Sequence, residues 1–171
     1  MTMNKSKKVS WQSVAKLCDT IADLVKFQTD TSVTYTPDHV IGLARGGLVP
    51  ATILSNNLGV RTVISHGYHS YDDETQTRDY RNPHGVMYQD GIIDLRKGLT
   101  GRNILIVDDL CDYGITMAGL VDRLKSKFHH GILEVRTAVL FCKRRSTYQP
   151  DYVGEYVDND WISFPWEKAE S

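Results

Sequence analysis

The stretch ILIVDDLCDYGITM, residues 104–117, decides how this chain is interpreted. Four consecutive apolar residues, typical of a buried strand, run directly into Asp108 and Asp109. Asp112 and Gly114 follow at once. In open α/β sheets, ligands bind beyond the carboxyl ends of the strands. The sequence therefore predicts that these aspartates lie at a binding site.

The close spacing of the aspartates predicts a bound group that offsets their mutual repulsion. Two carboxylates about 4 Å apart repel by about 1 kcal/mol in water, and by about 4 kcal/mol at an effective dielectric constant of about 20. We therefore expect a cation or hydroxyl donors beside them. Residues 113–116 lead into a helix, whose free N–H groups, with the Thr116 hydroxyl, can hold a phosphate. The plain alternative is an acidic N-cap on an ordinary turn, since Asp is a favoured cap.

The rest of the chain alternates strand-like and helix-like segments. Helices are predicted over residues 10–25, with Ser10 or Ser13 as N-cap, over 48–58, ending at Gly59, and over 114–128. Strands are predicted over residues 39–44, 61–68, 103–109, 134–141 and 152–157. This alternation predicts an α/β fold with a mainly parallel sheet and helices on both faces.

The sequence of residues 70–100 indicates its secondary structure less clearly. Acidic and basic residues are mixed there with Pro83 and Gly85, and a hairpin over residues 86–93 is one interpretation. A structureless loop of this length is uncommon unless it is functional.

Composition narrows the function classes. With 171 residues, 41% of them hydrophobic, one domain is expected to bury about 70% of its unfolded surface. The formal net charge of −1 provides no bulk field for nucleic acid or anionic lipid. The three cysteines show no disulfide or zinc spacing, and the apolar runs are strand-sized. A soluble protein of the reducing cytoplasm, without an export signal or membrane span, is expected.

Three motifs resemble one family. Residues 104–116 resemble the phosphoribosyl pyrophosphate signature of type I phosphoribosyltransferases, in which a strand ends in two acids before a phosphate loop of pattern D-x-G-x-T. Residues 39–50, HVIGLARGGLVP, resemble the pyrophosphate loop of the xanthine-guanine branch, and residues 160–167, DWISFPWE, its base-binding segment. The resemblance covers residues 9–167 and also extends to the hypoxanthine-guanine enzymes of this purine branch.

The resemblance implies the type I phosphoribosyltransferase fold, a single domain over residues 1–171. Its core would span about residues 36–157 and its mobile loop about 69–100, while a small hood would combine the N-terminal segment with residues 158–171. Transfer of ribose 5-phosphate from phosphoribosyl pyrophosphate to N9 of guanine, xanthine or hypoxanthine is implied, with Mg2+ as cofactor. Pyrophosphate and a nucleoside monophosphate would be released in purine salvage. A homodimer or homotetramer is implied, without a nucleic acid or membrane partner.

The resemblance also implies roles for individual residues. Asp108 and Asp109 would hold the ribose hydroxyls directly or through metal and water, with Asp109 as the metal ligand. Asp112 would lie near purine N7 as proton acceptor or donor. The residues implied in binding the phosphoribosyl pyrophosphate are Arg45, Gly46, Arg78, Asp108, Asp109, Leu110, Cys111, Asp112, Tyr113, Gly114, Ile115 and Thr116. Tyr113 stands where Thr or Ser is common, and Ile115 where Gly or Lys is common.

Base recognition would involve Asp112 and three later residues. Lys143 would donate to the 6-oxo oxygen, which rejects the amino group of adenine. Trp161 would stack on the purine, and the backbone of Ile162 would contact its pyrimidine edge. Taken singly, Trp161 is more typical of a core aromatic and Lys143 of a solvated surface charge.

Two other functions stay open at this point. A protein of the same fold can act as a nucleotide-sensing regulator of transcription or RNA, although the near-neutral charge offers no basic stripe for such contacts. Another phosphate-binding α/β enzyme is disfavoured, because neither G-x-G-x-x-G nor G-x-x-x-x-G-K-[ST] occurs.

Overall fold

The computed structural model describes residues 6–27, 35–67, 102–127 and 132–167. Its centre is a five-stranded parallel sheet with the strand order β3-β2-β4-β5-β6. The strands are β2 (His39–Ala44), β3 (Thr62–Gly67), β4 (Arg102–Cys111), β5 (Ile132–Lys143) and β6 (Tyr152–Val157). β4 lies in the middle of this sheet, so its carboxyl end is flanked by those of β2 and β5.

Within the described residues, three helices cover the sheet. α1 (Trp11–Lys26) begins after Ser10, whose hydroxyl accepts a hydrogen bond from the Ser13 N–H at 3.1 Å. α2 (Leu48–Leu58) ends at Gly59, which adopts a φ of 70°. α3 (Ile115–Lys127) directly follows the acid-rich end of β4.

The core is divided by the sheet into two clusters. One cluster packs α1 and α2 against Leu105 and Val107 of β4, and the other packs α3 against Ile104 and Ile106. Because successive side chains of a strand point to opposite faces, the apolar run of β4 is buried on both sides. The central strand is therefore held rigidly from both faces.

A second, two-stranded sheet joins the two ends of the described chain. β1 (Ser6–Lys8) pairs in parallel with β7 (Trp161–Ser163), and the Val9 N–H donates to the Ser163 carbonyl at 2.9 Å. Behind β7, Phe164 stacks on Trp166 with ring centroids 4.7 Å apart. This pairing corresponds to the hood that the resemblance implied.

The predicted fold class is confirmed, and the differences concern the limits of elements. β4 and β5 each extend past the predicted strand, while β1 and β7 were not predicted as strands. The predicted hairpin over residues 86–93 and the mobile loop over 69–100 lie outside the described residues, and the domain limits stay a prediction. None of the helices in the described ranges has both the length and the apolar character that crossing a membrane requires.

Candidate active site

The site lies at the carboxyl edge of the central sheet. Because β2, β4 and β5 are parallel neighbours, the segments that follow them meet at one edge. β4 brings Asp108 and Asp109, here called the acid pair, to this edge, and Asp112 is the first residue after the strand. The segments that follow these three strands, although far apart in the sequence, thereby become neighbours.

The turn of residues 45–47, here called the diglycine turn, packs against the acid pair. A Cβ atom on Gly46 would overlap the Asp109 carboxylate, and one on Gly47 would lie 2.7 Å from the Val107 carbonyl oxygen. Glycine at these positions therefore lets the backbone reach the end of β4. The peptide bond that enters this turn, between Ala44 and Arg45, is cis.

Asp108 and Asp109 of the acid pair are half-buried at the end of β4. The Asp109 N–H donates to Asp108 Oδ1 at 2.9 Å. Burial, and then the neighbouring charge of Asp109, raises the pKa of Asp108 well above its usual range. Burial likewise raises the pKa of Asp109, with a further contribution from Glu167 near the end of the described chain. A cation or hydroxyl donors at this site would relieve the repulsion, which fits the predicted binding of an activated ribose.

These raised pKa values predict a stability change in Asp108→Asn. An acid whose pKa is higher in the folded than in the unfolded state contributes stability at low pH, and this is lost as the pH rises through the folded pKa. Asp108→Asn does not lose stability in this way as the pH rises, and it also lacks a repulsion of about 1 kcal/mol or more between the two carboxylates. Its amide oxygen can still accept a hydrogen bond from the Asp109 N–H. Urea unfolding of the ligand-free protein is expected to show a stabilised variant at about pH 8, with a smaller gain at about pH 5.

The control for this measurement is Asp158→Asn, which changes an aspartate whose side chain is 81% exposed. It is expected to leave the free energy of unfolding unchanged at both pH values. An Asp108→Asn protein that is less stable than its parent at the higher pH would contradict the assigned environment of the acid pair.

Asp112 is held between two cations. Its Oδ2 atom lies 3.3 Å from Lys143 Nζ, and its Oδ1 atom accepts from Arg145 Nε at 2.7 Å. Lys143 is only 6% exposed, so it is not the solvated surface charge of the plain alternative. A buried ammonium needs a charged partner, and Asp112 provides it.

The segment of residues 112–116, here called the phosphate loop, turns at Gly114. This glycine has a φ of 81°, and its carbonyl accepts the first helical hydrogen bond, from the Ala118 N–H at 3.0 Å. The N–H groups of Ile115 and Thr116 lie in the first turn of α3 and therefore have no carbonyl partner within the helix. They are therefore available to a phosphate.

Leu110 and Cys111, two of the residues predicted to bind the phosphate, can do so only through their backbone. The side chain of Cys111 is buried in the cluster that contains α3, and that of Leu110 packs against the opposite cluster. Burial raises the pKa of the Cys111 thiol to about 12, so this group stays protonated at neutral pH.

Two of the predicted base-binding residues, Trp161 and Ile162, lie on β7. Trp161 is 61% exposed, whereas Ile162 beside it is buried. The exposed indole is not the core aromatic of the plain alternative and can offer a ring face to a ligand. Arg78, the remaining predicted contact, lies outside the described residues.

Comparison with known proteins shows the family to which this chain belongs. Residues 10–169 match the phosphoribosyl transferase domain. The xanthine-guanine phosphoribosyltransferase of Idiomarina loihiensis is 35% identical over 130 residues, which are 75% of this chain and 70% of that protein. The protein of the same name from Cereibacter sphaeroides is 35% identical over 133 residues, 76% and 69% of the two chains. The chain belongs to the phosphoribosyltransferase family.

The two xanthine-guanine relatives place the chain in the purine branch of the phosphoribosyltransferases, and a solved structure has the same fold. The purine phosphoribosyltransferase of Pyrococcus horikoshii superposes with a TM-score of 0.74 at 27% identity, covering 98% of this chain and 97% of that one. The family and the type I fold predicted from the sequence are therefore confirmed. The roles of the individual site residues stay predictions.

In this phosphoribosyltransferase, sequence reasoning missed the segment of residues 145–148, here called the buttress segment. Arg145 binds Asp112, and the N–H and hydroxyl of Thr147 donate to the Tyr113 carbonyl at 3.2 and 3.0 Å. Tyr148 packs so closely on Gly114 that a Cβ atom there would overlap it. The one signal available was position, since the segment follows a predicted strand and so belongs to the ligand-binding edge.

Proposed function

We propose that this protein is a purine phosphoribosyltransferase of salvage metabolism. It transfers the ribose 5-phosphate of phosphoribosyl pyrophosphate to N9 of a 6-oxopurine and releases pyrophosphate. The observation that carries this proposal is the contact of Asp112 with the buried Lys143, beside the acid pair and the diglycine turn. One edge thus offers groups for the base, the ribose and both phosphate ends of the substrate.

In the proposed reaction the bond from ribose C1 to pyrophosphate oxygen breaks as the bond from C1 to purine N9 forms. The ribose passes through an oxocarbenium-like state, so catalysis consists of stabilising separated charge. Arg45 and the amides of the diglycine turn support the leaving group, and the acid pair holds the ribose hydroxyls. The base loses one ring N–H proton as N9 bonds to C1, and Asp112 accepts it from purine N7.

The acid pair fits an Mg2+ ion that arrives with the substrate. In the described part of the chain, no group of three or more His, Cys, Asp or Glu side chains could hold a metal ion. Mg2+ is usually bound by one or two carboxylates together with substrate phosphates, and the two desolvated acids meet that requirement. When bound, with Asp109 as its protein ligand, Mg2+ would neutralise charge on the diphosphate.

Base selection is proposed to depend on Lys143 and Trp161. The ammonium group can only donate, so it suits the 6-oxo oxygen of guanine, xanthine or hypoxanthine and rejects the amino group of adenine. The exposed Trp161 ring stacks on the purine, and the Ile162 backbone contacts its pyrimidine edge.

Removing the stacking surface tests this assignment. Stacking on an aromatic side chain contributes about 1–3 kcal/mol per base, so Trp161→Ala should raise the KM for the base by roughly 5- to 150-fold. Trp161→Phe should retain most of the affinity, and the KM for phosphoribosyl pyrophosphate should stay unchanged in both variants. Steady-state kinetics with each substrate varied in turn makes the measurement. Equal increases in both KM values would contradict a stacking role.

The experiment that tests the function is a panel of bases. The protein is mixed with phosphoribosyl pyrophosphate, Mg2+ and one of guanine, xanthine, hypoxanthine or adenine, and pyrophosphate release is followed. Turnover is expected with at least one 6-oxopurine, is expected to be absent with adenine, and should be lost when EDTA removes the metal. Activity confined to adenine, or a lack of activity with all four bases, would refute the proposal.

The setting of this activity is also proposed. We infer that the protein acts in the cytoplasm and that it forms a homodimer or homotetramer, as the family resemblance implies. Leu24 and Phe27 expose apolar surface at one end of α1, which favours such an assembly. Sedimentation velocity of the purified protein tests this, and a monomer would contradict it. Both relatives are named as transferases, which favours transfer over a nucleotide-sensing regulator.

A further inference from the structure

Arg145 makes a set of contacts that the proposed mechanism has not used. Its Nε and Nη2 atoms both bind Asp112 Oδ1, at 2.7 and 2.5 Å. Its guanidinium group lies 4.5 Å from the centre of the Tyr113 ring. Arg145 therefore bridges the carboxylate proposed to serve the base and the residue that follows it in the phosphate loop.

We propose that Arg145 is a positioning residue for the transfer reaction, fixing the rotation of the Asp112 carboxylate so that Oδ2 faces the base; this inference rests on the proposed function. Arg145 Nε donates to Oδ1 and Nη2 lies 2.5 Å from the same oxygen, whereas Lys143 contacts Oδ2, the oxygen proposed to face the purine. A carboxylate group rotates easily about its terminal bond, because that torsion is broad. The charge-assisted bonds from Arg145 restrict this rotation.

Arg145 is itself held in place. Its guanidinium packs over the Tyr113 ring, an arrangement that favours a planar cation. Two residues further along the buttress segment, Thr147 binds the Tyr113 carbonyl through both its N–H and its hydroxyl. The same segment thus holds the phosphate loop and the carboxylate at its start. The aromatic residue at position 113, unusual for the family, gains a role as the platform for Arg145.

Lys143 alone does not provide this restraint. Its Nζ atom lies 3.3 Å from Asp112 Oδ2, a longer contact than either from Arg145. The proposed mechanism also requires Lys143 to donate to the base, so it cannot be dedicated to Asp112. Arg145, on the other oxygen, can hold Asp112 throughout the reaction.

The neighbouring Arg144 provides a matched control. Its side chain is 68% exposed, pairs with Asp158 at 3.4 Å and lies 5.8 Å from the centre of the Tyr156 ring. It has the same charge and a similar ion pair and ring contact, but it bonds to Asp158 rather than to Asp112. A general effect of removing one arginine from this loop would therefore appear equally in Arg144→Ala and Arg145→Ala.

The test is a double-mutant cycle on kcat with the full chain. Misplacement of a reacting group by about 1 Å can lower the rate by about 100-fold, so Arg145→Ala should lower kcat by roughly 10- to 100-fold. Arg144→Ala should leave kcat unchanged, and Arg145→Lys should show an intermediate loss, because an ammonium lacks the planar pair of donors. In an Asp112→Asn background, Arg145→Ala should change kcat by less than about threefold, because residues that act as one unit are not additive.

Two results would overturn the inference while leaving the proposed function intact. One is a parental kcat in Arg145→Ala. The other is the same fold-loss from Arg145→Ala in both backgrounds, which would mean that Arg145 acts independently of Asp112. If Arg145→Ala does not fold, judged by its thermal melt, the Arg145→Lys cycle is used in its place. A parent protein that neither turns over any purine nor binds a purine nucleoside monophosphate by calorimetry would refute the proposed function and this inference together.

Discussion

Replacing Asp112 with asparagine is expected to lower kcat by roughly 100- to 10,000-fold, the range found when a general acid or base is lost. The amide cannot exchange a proton with purine N7. It also leaves Lys143, which is 6% exposed, and Arg145 without the negative charge between them. The variant should still fold, because the asparagine amide oxygen can still accept a hydrogen bond from Lys143 Nζ or Arg145 Nε. Steady-state kinetics and a thermal melt make the two measurements.

The matched control is Asp158→Asn, the same chemical change in an exposed aspartate that pairs with Arg144. Its turnover should equal that of the parent. Parental turnover in Asp112→Asn would remove this residue from the mechanism. A loss of turnover of equal size in both variants would show that the chemical change acts without regard to the site.

Replacing Gly46 with alanine should raise the KM for phosphoribosyl pyrophosphate by roughly 5- to 150-fold. The added Cβ atom would overlap the Asp109 carboxylate, so either the acid or the turn must move. Forcing extra atoms into a packed site typically costs about 1–3 kcal/mol, which corresponds to that range of affinity. Because Asp109 and the diglycine turn both serve the donor, the KM for the base should change far less. Steady-state kinetics with each substrate varied separates the two effects.

Gly67→Ala is the control for this prediction. Apart from its chain neighbours, no described residue has an atom within 4 Å of a Cβ built at that position. The change is therefore expected to leave both KM values near those of the parent. An unchanged KM for the donor in Gly46→Ala would contradict the close packing of the diglycine turn on the acid pair.

Much of the sheet could be predicted because its signals are local. The apolar run of β4 ends in charged residues, and α2 ends at a glycine with a positive φ, so both elements carry their limits in the sequence. β1 and β7 carry no comparable signal. Each has three residues, β1 consists of SKK, and both depend on pairing between distant segments. Such pairing is set by tertiary contacts rather than by propensity.

Part of the site could also be predicted from a local sequence pattern. A strand that delivers aspartates to its carboxyl end places them at the ligand edge, whatever the rest of the chain does. The contact of Gly46 with Asp109 and the ion pair of Asp112 with Arg145 join different segments, and no local pattern reports them. In the run of residues 143–145, the three cations look alike in sequence. Only the structure shows one buried at Asp112, one paired with Asp158 and one bridging Asp112 and Tyr113.

The measurement that tests the account most directly is calorimetric titration of phosphoribosyl pyrophosphate into the protein with Mg2+ present. The acid pair, the diglycine turn and the phosphate loop are proposed to form one site for this activated sugar. We expect saturable heat in the parent protein, and clearly weaker binding in Gly46→Ala than in Gly67→Ala. Absence of binding heat from the folded parent protein, at several temperatures, would contradict the central claim.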